Sequence, residues 1–187
     1  MSNEHLGRSP GRPAQLSVET IVAAALDSGT GELTVRGLAR RLGVAHSALY
    51  RWVGDRDGLL DVISDHLLER VLTRVTEDPT TDWRAWLTDF GEVLRAEFLP
   101  VADAEVLARF PRETSTYQEL RHRAEAVMTN YDITQEQARD SFTVFLYAVW
   151  GWITAEKLCT EQPDHERIFT AMLDTLTRGL PPQPSRR

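Results

Sequence analysis

A single cysteine, Cys159, stands among 187 residues, so no internal disulfide can form and a reducing compartment is expected. Alone, Cys159 reads as a small buried apolar group rather than a nucleophile. No apolar run approaches the ~18 residues that a bilayer crossing requires, so no membrane partner is expected. The opening MSNEHLGRSPGRP lacks the apolar middle of a secretion signal, and a cytoplasmic location follows as the expectation. Strand patterning is also missing: nowhere do β-branched or aromatic residues alternate convincingly with polar ones. The five histidines are scattered, with no HxxxH pair, no CxxC, no GxSxG and no P-loop. GTGE at 29–32 is a lone loop and a poor phosphate cradle. These absences weigh against an enzyme and against a metal or other cofactor.

What is present is an ordinary globular composition, 42% apolar and 26% charged, with an uneven distribution of charge. The net charge of -7 argues at first against a nucleic-acid partner. Residues 1–58, however, hold seven Arg against six acidic groups, a net +1, and leave -8 for the rest. Within 36–56, five Arg (36, 40, 41, 51 and 56) face only Asp55. An anionic body with one cationic end is steered onto DNA end-first. Charge therefore permits a DNA partner without demanding one.

Helical periodicity organises the chain into an all-α fold. Residues 1–16, rich in Gly, Pro and polar groups, read as a mobile arm. Ser17 can cap a first helix whose Val18, Ile21, Val22 and Ala25 share a face, ended by Gly29 and Gly31. Thr34 caps the next, with Val35, Leu38, Ala39 and Leu42 in one stripe, and Gly43 stops it. The segment HSALYRWV then places Ala48, Leu49, Trp52 and Val53 at helical spacing up to Gly54. Asp55 or Asp57 can cap a longer helix over 57–77. At ~1.5 Å per residue it is a rod of about 30 Å, long enough to join two domains. Further helices are expected over Asp82–Leu99, Val101–Arg109, Ser115–Tyr131, Thr134–Thr160 and Asp164–Gly179. The tail PPQPSRR reads as disordered. The chain divides into an arm at 1–16, a three-helix unit at 17–56, a longer helical unit at 57–180, and a tail at 181–187.

Two short helices joined by Gly43-Val44-Ala45 fit a helix-turn-helix, in which the first helix braces the second against the major groove. Ala39, Leu42, Val44 and Leu49 supply the bracing contacts, and His46, Ser47, Tyr50 and Arg51 supply donors and acceptors for a reading face. Tyr50 could instead edge the core. Arg40 and Arg41 read as solvated surface charges. Arg8 and Arg12 fit either an arm entering a minor groove or a basic tail without a role.

The run LTVRGLARRLGVAHSALYRWVGDRDGLLDVI resembles the DNA-binding domain of the tetracycline-repressor (TetR/AcrR) family. The likeness covers about residues 15–65. It rests on Thr34-Val35, Leu38-Ala39, Leu42-Gly43-Val44, Leu49-Tyr50, Asp55-Arg56 and Leu59-Leu60 at family spacing. It implies that Tyr50 and Arg56 contact DNA phosphate, Arg56 standing where a phosphate-binding Lys is usual and where a helix dipole favours an anion. Thr34 and Arg36 would hold backbone phosphates, and His46, Ser47 and Arg51 would read bases. Trp52, also on the DNA-binding helix, replaces the commoner His, and Ala45 replaces a frequent Ser or Thr cap.

The same resemblance implies a homodimer on double-stranded palindromic operator DNA, acting as a repressor that a small-molecule effector releases. In that family the last two long helices form the dimer interface. Phe142, Phe145, Leu146, Val149, Ile153, Phe169, Met172, Leu173 and Leu176 are its candidates here, the first five from a helix that apolar residues nearly encircle. Aromatic candidates for an effector pocket are Trp83, Trp86, Phe90, Phe110, Tyr117, His122, Tyr147 and Trp150, each of which could equally be core. A helical interaction module that binds no DNA is the competing reading, and an enzyme the more remote one.

Overall fold

Nine helices, and no strand, form the described residues of the computed structural model, which are 16–27, 33–75, 82–100, 104–108, 113–159 and 164–181. They are α1 (Val18–Leu26), α2 (Val35–Leu42), α3 (His46–Val53), α4 (Arg56–Arg74), α5 (Trp83–Phe98), α6 (Ala104–Leu107), α7 (Ser115–Thr129), α8 (Gln135–Leu158) and α9 (His165–Gly179). The all-α expectation is met. Nearly all of the expected arm, nearly all of the expected tail, and Phe110 lie outside the described residues.

Local chemistry sets most of the helix starts. Ser17 Oγ accepts from the Thr20 amide, Thr34 Oγ1 from Gly37 at 3.0 Å, and Asp55 Oδ1 from Gly58 at 2.8 Å. Each occupies one amide that a helix start leaves unpaired. Thr134 and Gln137 cap α8 reciprocally. Because Asp55 is the cap, α4 begins at Arg56, one residue before the expected start.

Two glycines shape the helix-turn-helix and its exit. Gly43 adopts φ +66°, the left-handed conformation that closes α2 and turns the chain into α3. Gly58 sits where a Cβ would lie 2.0 Å from the Val53 carbonyl oxygen, so only glycine lets the first turn of α4 press against the end of α3.

One apolar core runs from Ile21 to Leu180. α4 threads it: Leu59, Leu60, Ile63, Leu67, Leu68 and Val71 are all buried, and the helix packs against α1 and α3 as well as α5, α6 and α7. Polar ties reinforce this position. Arg70 and Arg74 of α4 reach the buried Glu97 of α5 at 2.7 and 2.5 Å. Thr114, capping α7, donates to Asp65, and Arg123 of α7 donates to the Leu72 carbonyl. The reading helices are thus carried on a rod clamped along its length.

Candidate nucleic-acid interface

The inner side of α3 is closed by Leu49 and Val53, 0% and 5% exposed. Its outer side shows His46, Ser47, Tyr50, Arg51 and Trp52, all exposed. Tyr50 is 53% and Trp52 48% exposed, a large outlay of aromatic surface on one eight-residue helix. The His46 and Tyr50 rings lie 5.9 Å apart. Tyr50 is thus outside the core, with half of its surface open to a partner. Ala45 gives α3 no side-chain cap, so the first amides of the reading helix are not capped by it.

Around this face the two N-terminal anchors differ. Thr34 and Arg36, at the start of α2, are exposed; the Thr34 oxygen accepts the Gly37 amide while its hydroxyl proton remains for donation. Arg56 is half-buried. Its Nε donates to the Leu33 carbonyl at 3.0 Å, and its Nη2 meets the Glu105 carboxylate of α6. Arg41 pairs with Asp27 at 3.5 Å, both side chains well exposed. The described surface at this end is cationic, rich in donors and aromatic, which suits a phosphate backbone and base edges.

The aromatics expected to line a pocket are divided. Trp83, Trp86, Phe90, Tyr117 and Trp150 are buried, whereas His122 and Tyr147 are exposed and Phe110 lies outside the described residues. Trp86 stacks on Phe90 at 5.7 Å, and Phe90 meets Phe142 and Phe145 at 5.6 and 6.3 Å. These rings fill space against one another. Burial raises the Tyr117 phenol above its ordinary range. Trp150 packs edge-on against Phe98 and donates its indole N–H to the Leu107 carbonyl at 2.9 Å, fastening α6 to α8.

A hollow of about 120 Å³ opens elsewhere, between the end of α8 and the start of α9, lined by Trp152, Ala155, Glu156, Cys159 and His165. None of these five is among the expected pocket residues. Arg95 of α5 donates to both Glu156 oxygens, at 2.8 and 2.5 Å, and Trp152 Nε1 adds a third donor. The Arg95 hydrogen bonds hold the Glu156 carboxyl below the usual carboxylate range, against the opposing effect of burial. Cys159, expected buried, is exposed because it lies past the last turn of α8, where the helix no longer covers it.

The expected interface residues turn inward. Phe142, Phe145, Leu146, Val149, Ile153 and Leu173 are 0% exposed and Phe169 is 2%, buried within their own subunit; Met172 and Leu176 are half-buried. The surface that α8 does present holds Val144, Tyr147, Gly151, Ala155 and Leu158. Spacing near 3.5 residues could have singled them out, but the larger aromatics on the other sides of α8 mask the stripe.

An exposed reading helix braced by a glycine-turned partner, on a helical body, defines a helix-turn-helix protein. No protein-family model matches the chain. Over 93 residues, 48% of the chain and 43% of the relative, it is 33% identical to the class A tetracycline repressor protein of Escherichia coli. Over 76 residues, 38% of the chain and 31% of the relative, it is 38% identical to an HTH-type transcriptional regulator of Mycobacterium tuberculosis. The chain thus spans less than half the length of these curated relatives. Its fold matches far more: a TetR variant from Acinetobacter baumannii, solved with minocycline, aligns over 88% of this chain and 96% of its own, with a TM-score of 0.77 and 26% identity. The resemblance read in the helix-turn-helix is borne out: the chain is similar to Tet repressors and HTH-type regulators over up to 48% of its length, and its fold is that of a solved TetR.

Proposed function

We propose that the chain is a dimeric transcriptional repressor that grips a palindromic operator through α3 and is released by a small-molecule effector. The outer face of α3 carries this reading: Tyr50 and Trp52 stand half-exposed there beside the donors and acceptors of His46, Ser47 and Arg51. Tyr50, Trp52, Thr34, Arg36 and Arg56 hold phosphates; His46, Ser47 and Arg51 read base edges. Residues 17–56 act as the DNA-binding unit and 57–180 as the effector and dimerisation unit. The protein works in the cytoplasm and catalyses nothing. No helix among the described residues is long and apolar enough to cross a membrane.

A second copy docks on α8 and α9. Val144, Tyr147 and Leu158, 49%, 59% and 61% exposed, support this, since such apolar surface is costly to leave in water. Two-fold symmetry then sets the reading helices about one DNA turn apart, ~34 Å. An effector that binds one pose of α4 better than another shifts the spacing of the two heads. The Acinetobacter relative's complex with minocycline supports a small-molecule effector.

The deciding experiment selects genomic DNA fragments with the purified protein, then screens small molecules for release. Enrichment of a palindrome whose affinity falls steeply with salt is expected. Equal binding to the palindrome and to random duplex would sink the repressor reading. Sedimentation as a monomer at micromolar concentration would sink the dimer.

A further inference from the structure

Among the described residues, Arg56 is the expected phosphate anchor that already holds a carboxylate. Its guanidinium edge of Nε and Nη2 is the edge that matches an anion bidentately. Here that edge is taken up by the Leu33 carbonyl and by Glu105. Leu33 belongs to the head and keeps Arg56 in place at the start of α4. Glu105 belongs to α6, which the body controls, because Trp150 of α8 grips the Leu107 carbonyl two residues away. Both partners of the ion pair are substantially exposed, Arg56 by 37% and Glu105 by 46%, so an incoming phosphate can reach the same guanidinium.

The geometry points to Glu105 as an internal stand-in for DNA phosphate: it competes with the operator backbone for Arg56, so the placement of α6 tunes operator affinity. A carboxylate and a phosphate on one guanidinium repel each other, and DNA binding must displace Glu105 or bind more weakly beside it. Displacement of α6 away from Arg56 removes the competing carboxylate while Leu33 still holds Nε, and its return restores the competition. This inference rests on the DNA-binding reading above and adds to it a named residue through which the body acts on the head. Exposed ion pairs are weak, so the effect is a trim of affinity, roughly two- to fivefold per subunit. In a complex with two heads the factor squares, to about four- to twenty-fivefold.

The test uses the full chain and a duplex enriched by the wild-type protein from a random-sequence pool. Fluorescence anisotropy at fixed salt compares wild type, Glu105→Gln, Arg56→Met and the double variant, with thermal unfolding run on each. Glu105→Gln should bind the duplex about four- to twenty-fivefold tighter, and Arg56→Met should bind it more weakly. In the Arg56→Met background, Glu105→Gln should have no effect. An equal gain in both backgrounds means that Glu105 merely repels DNA at a distance, which overturns competition for Arg56. Unchanged affinity in Glu105→Gln overturns it too. Should the wild type enrich no duplex at all, the DNA-binding reading itself falls, a failure visible before any variant is made.

Discussion

In the head, α2 and α3 are eight residues each, and single residues set their ends: Thr34 caps α2, Gly43 turns the chain into α3 and Gly54 ends α3. In the body, α8 runs for 24 residues, and its stability comes from what packs on it: Phe142, Phe145, Leu146, Val149 and Ile153 are all fully buried. The head places polar and aromatic groups outward on α3, whereas the body turns most of its aromatics inward, Tyr131 and Tyr147 excepted. In the head, function and stability are therefore carried by different residues, whereas in the body the close packing of the core means that a change to any buried residue disturbs everything around it. Substitutions should separate the two properties at one end of the molecule and merge them at the other.

Phe90→Ala gives the largest effect expected. Its ring is fully buried against Trp86, Phe142 and Phe145, and truncation opens a cavity worth about 3–5 kcal/mol. Urea unfolding should show the midpoint fall with little change in slope, and operator binding should fail only where the fold does. A Phe90→Ala protein that unfolds like wild type but loses effector response would instead place Phe90 on a pocket wall, with room around it that close packing denies.

Next comes Arg95→Met, which leaves the Glu156 carboxylate buried without its cation and should cost about 3 kcal/mol at neutral pH. The pH dependence has a definite sign. The folded Glu156 carboxyl lies below its ordinary range, so the pair stabilises fully above the unfolded carboxylate value and loses that contribution as pH falls through the folded one. Measured by urea midpoint, wild type should lose more stability than Glu156→Gln on acidification from about pH 5. Parallel curves would show that the pair contributes nothing.

The head should behave in the opposite way. Tyr50→Ala removes a half-exposed ring, so stability should stay within about 0.5 kcal/mol while binding weakens on every duplex. Substitution of His46 or Ser47 should change which operator is preferred, by roughly 1–3 kcal/mol per lost base contact. Competitive binding to a panel of duplexes differing at single positions separates the two outcomes. A uniform loss for His46→Ala would make it a backbone anchor rather than a reader.

The same contrast explains what could be read from the chain before its fold. Caps and glycines act within four residues, so α1 to α4 and the reading face follow from Ser17, Thr34, Gly43 and Asp55. α8 shows apolar groups on nearly every side, and periodicity alone cannot say which side meets its own subunit. That depends on how α5, α6, α7 and α9 close around it, which the spacing within α8 does not carry. Hence Phe145 looked like interface and is core, while Tyr147 looked like pocket and is exposed. The hollow beside Trp152 escaped for the same reason, since Arg95 and His165 reach it from separate helices.

Thr34 is the place where the head's two properties meet in one side chain. Its oxygen caps α2, and the TetR-family likeness also gives it a phosphate. Removal of the cap by Thr34→Ala should cost about 1 kcal/mol and weaken DNA binding at once, which cannot tell the roles apart. Thr34→Asp does. An aspartate caps at least as well as threonine, and its charge suits a helix start, so thermal stability should hold or rise slightly. The same charge faces the operator backbone and removes the donated proton, so affinity should drop on all duplexes and drop most at low salt, where repulsion is least screened. If Thr34→Asp instead binds DNA as wild type does, the hydroxyl is a cap and nothing more, and the phosphate contacts at this end fall to Arg36 and Arg56.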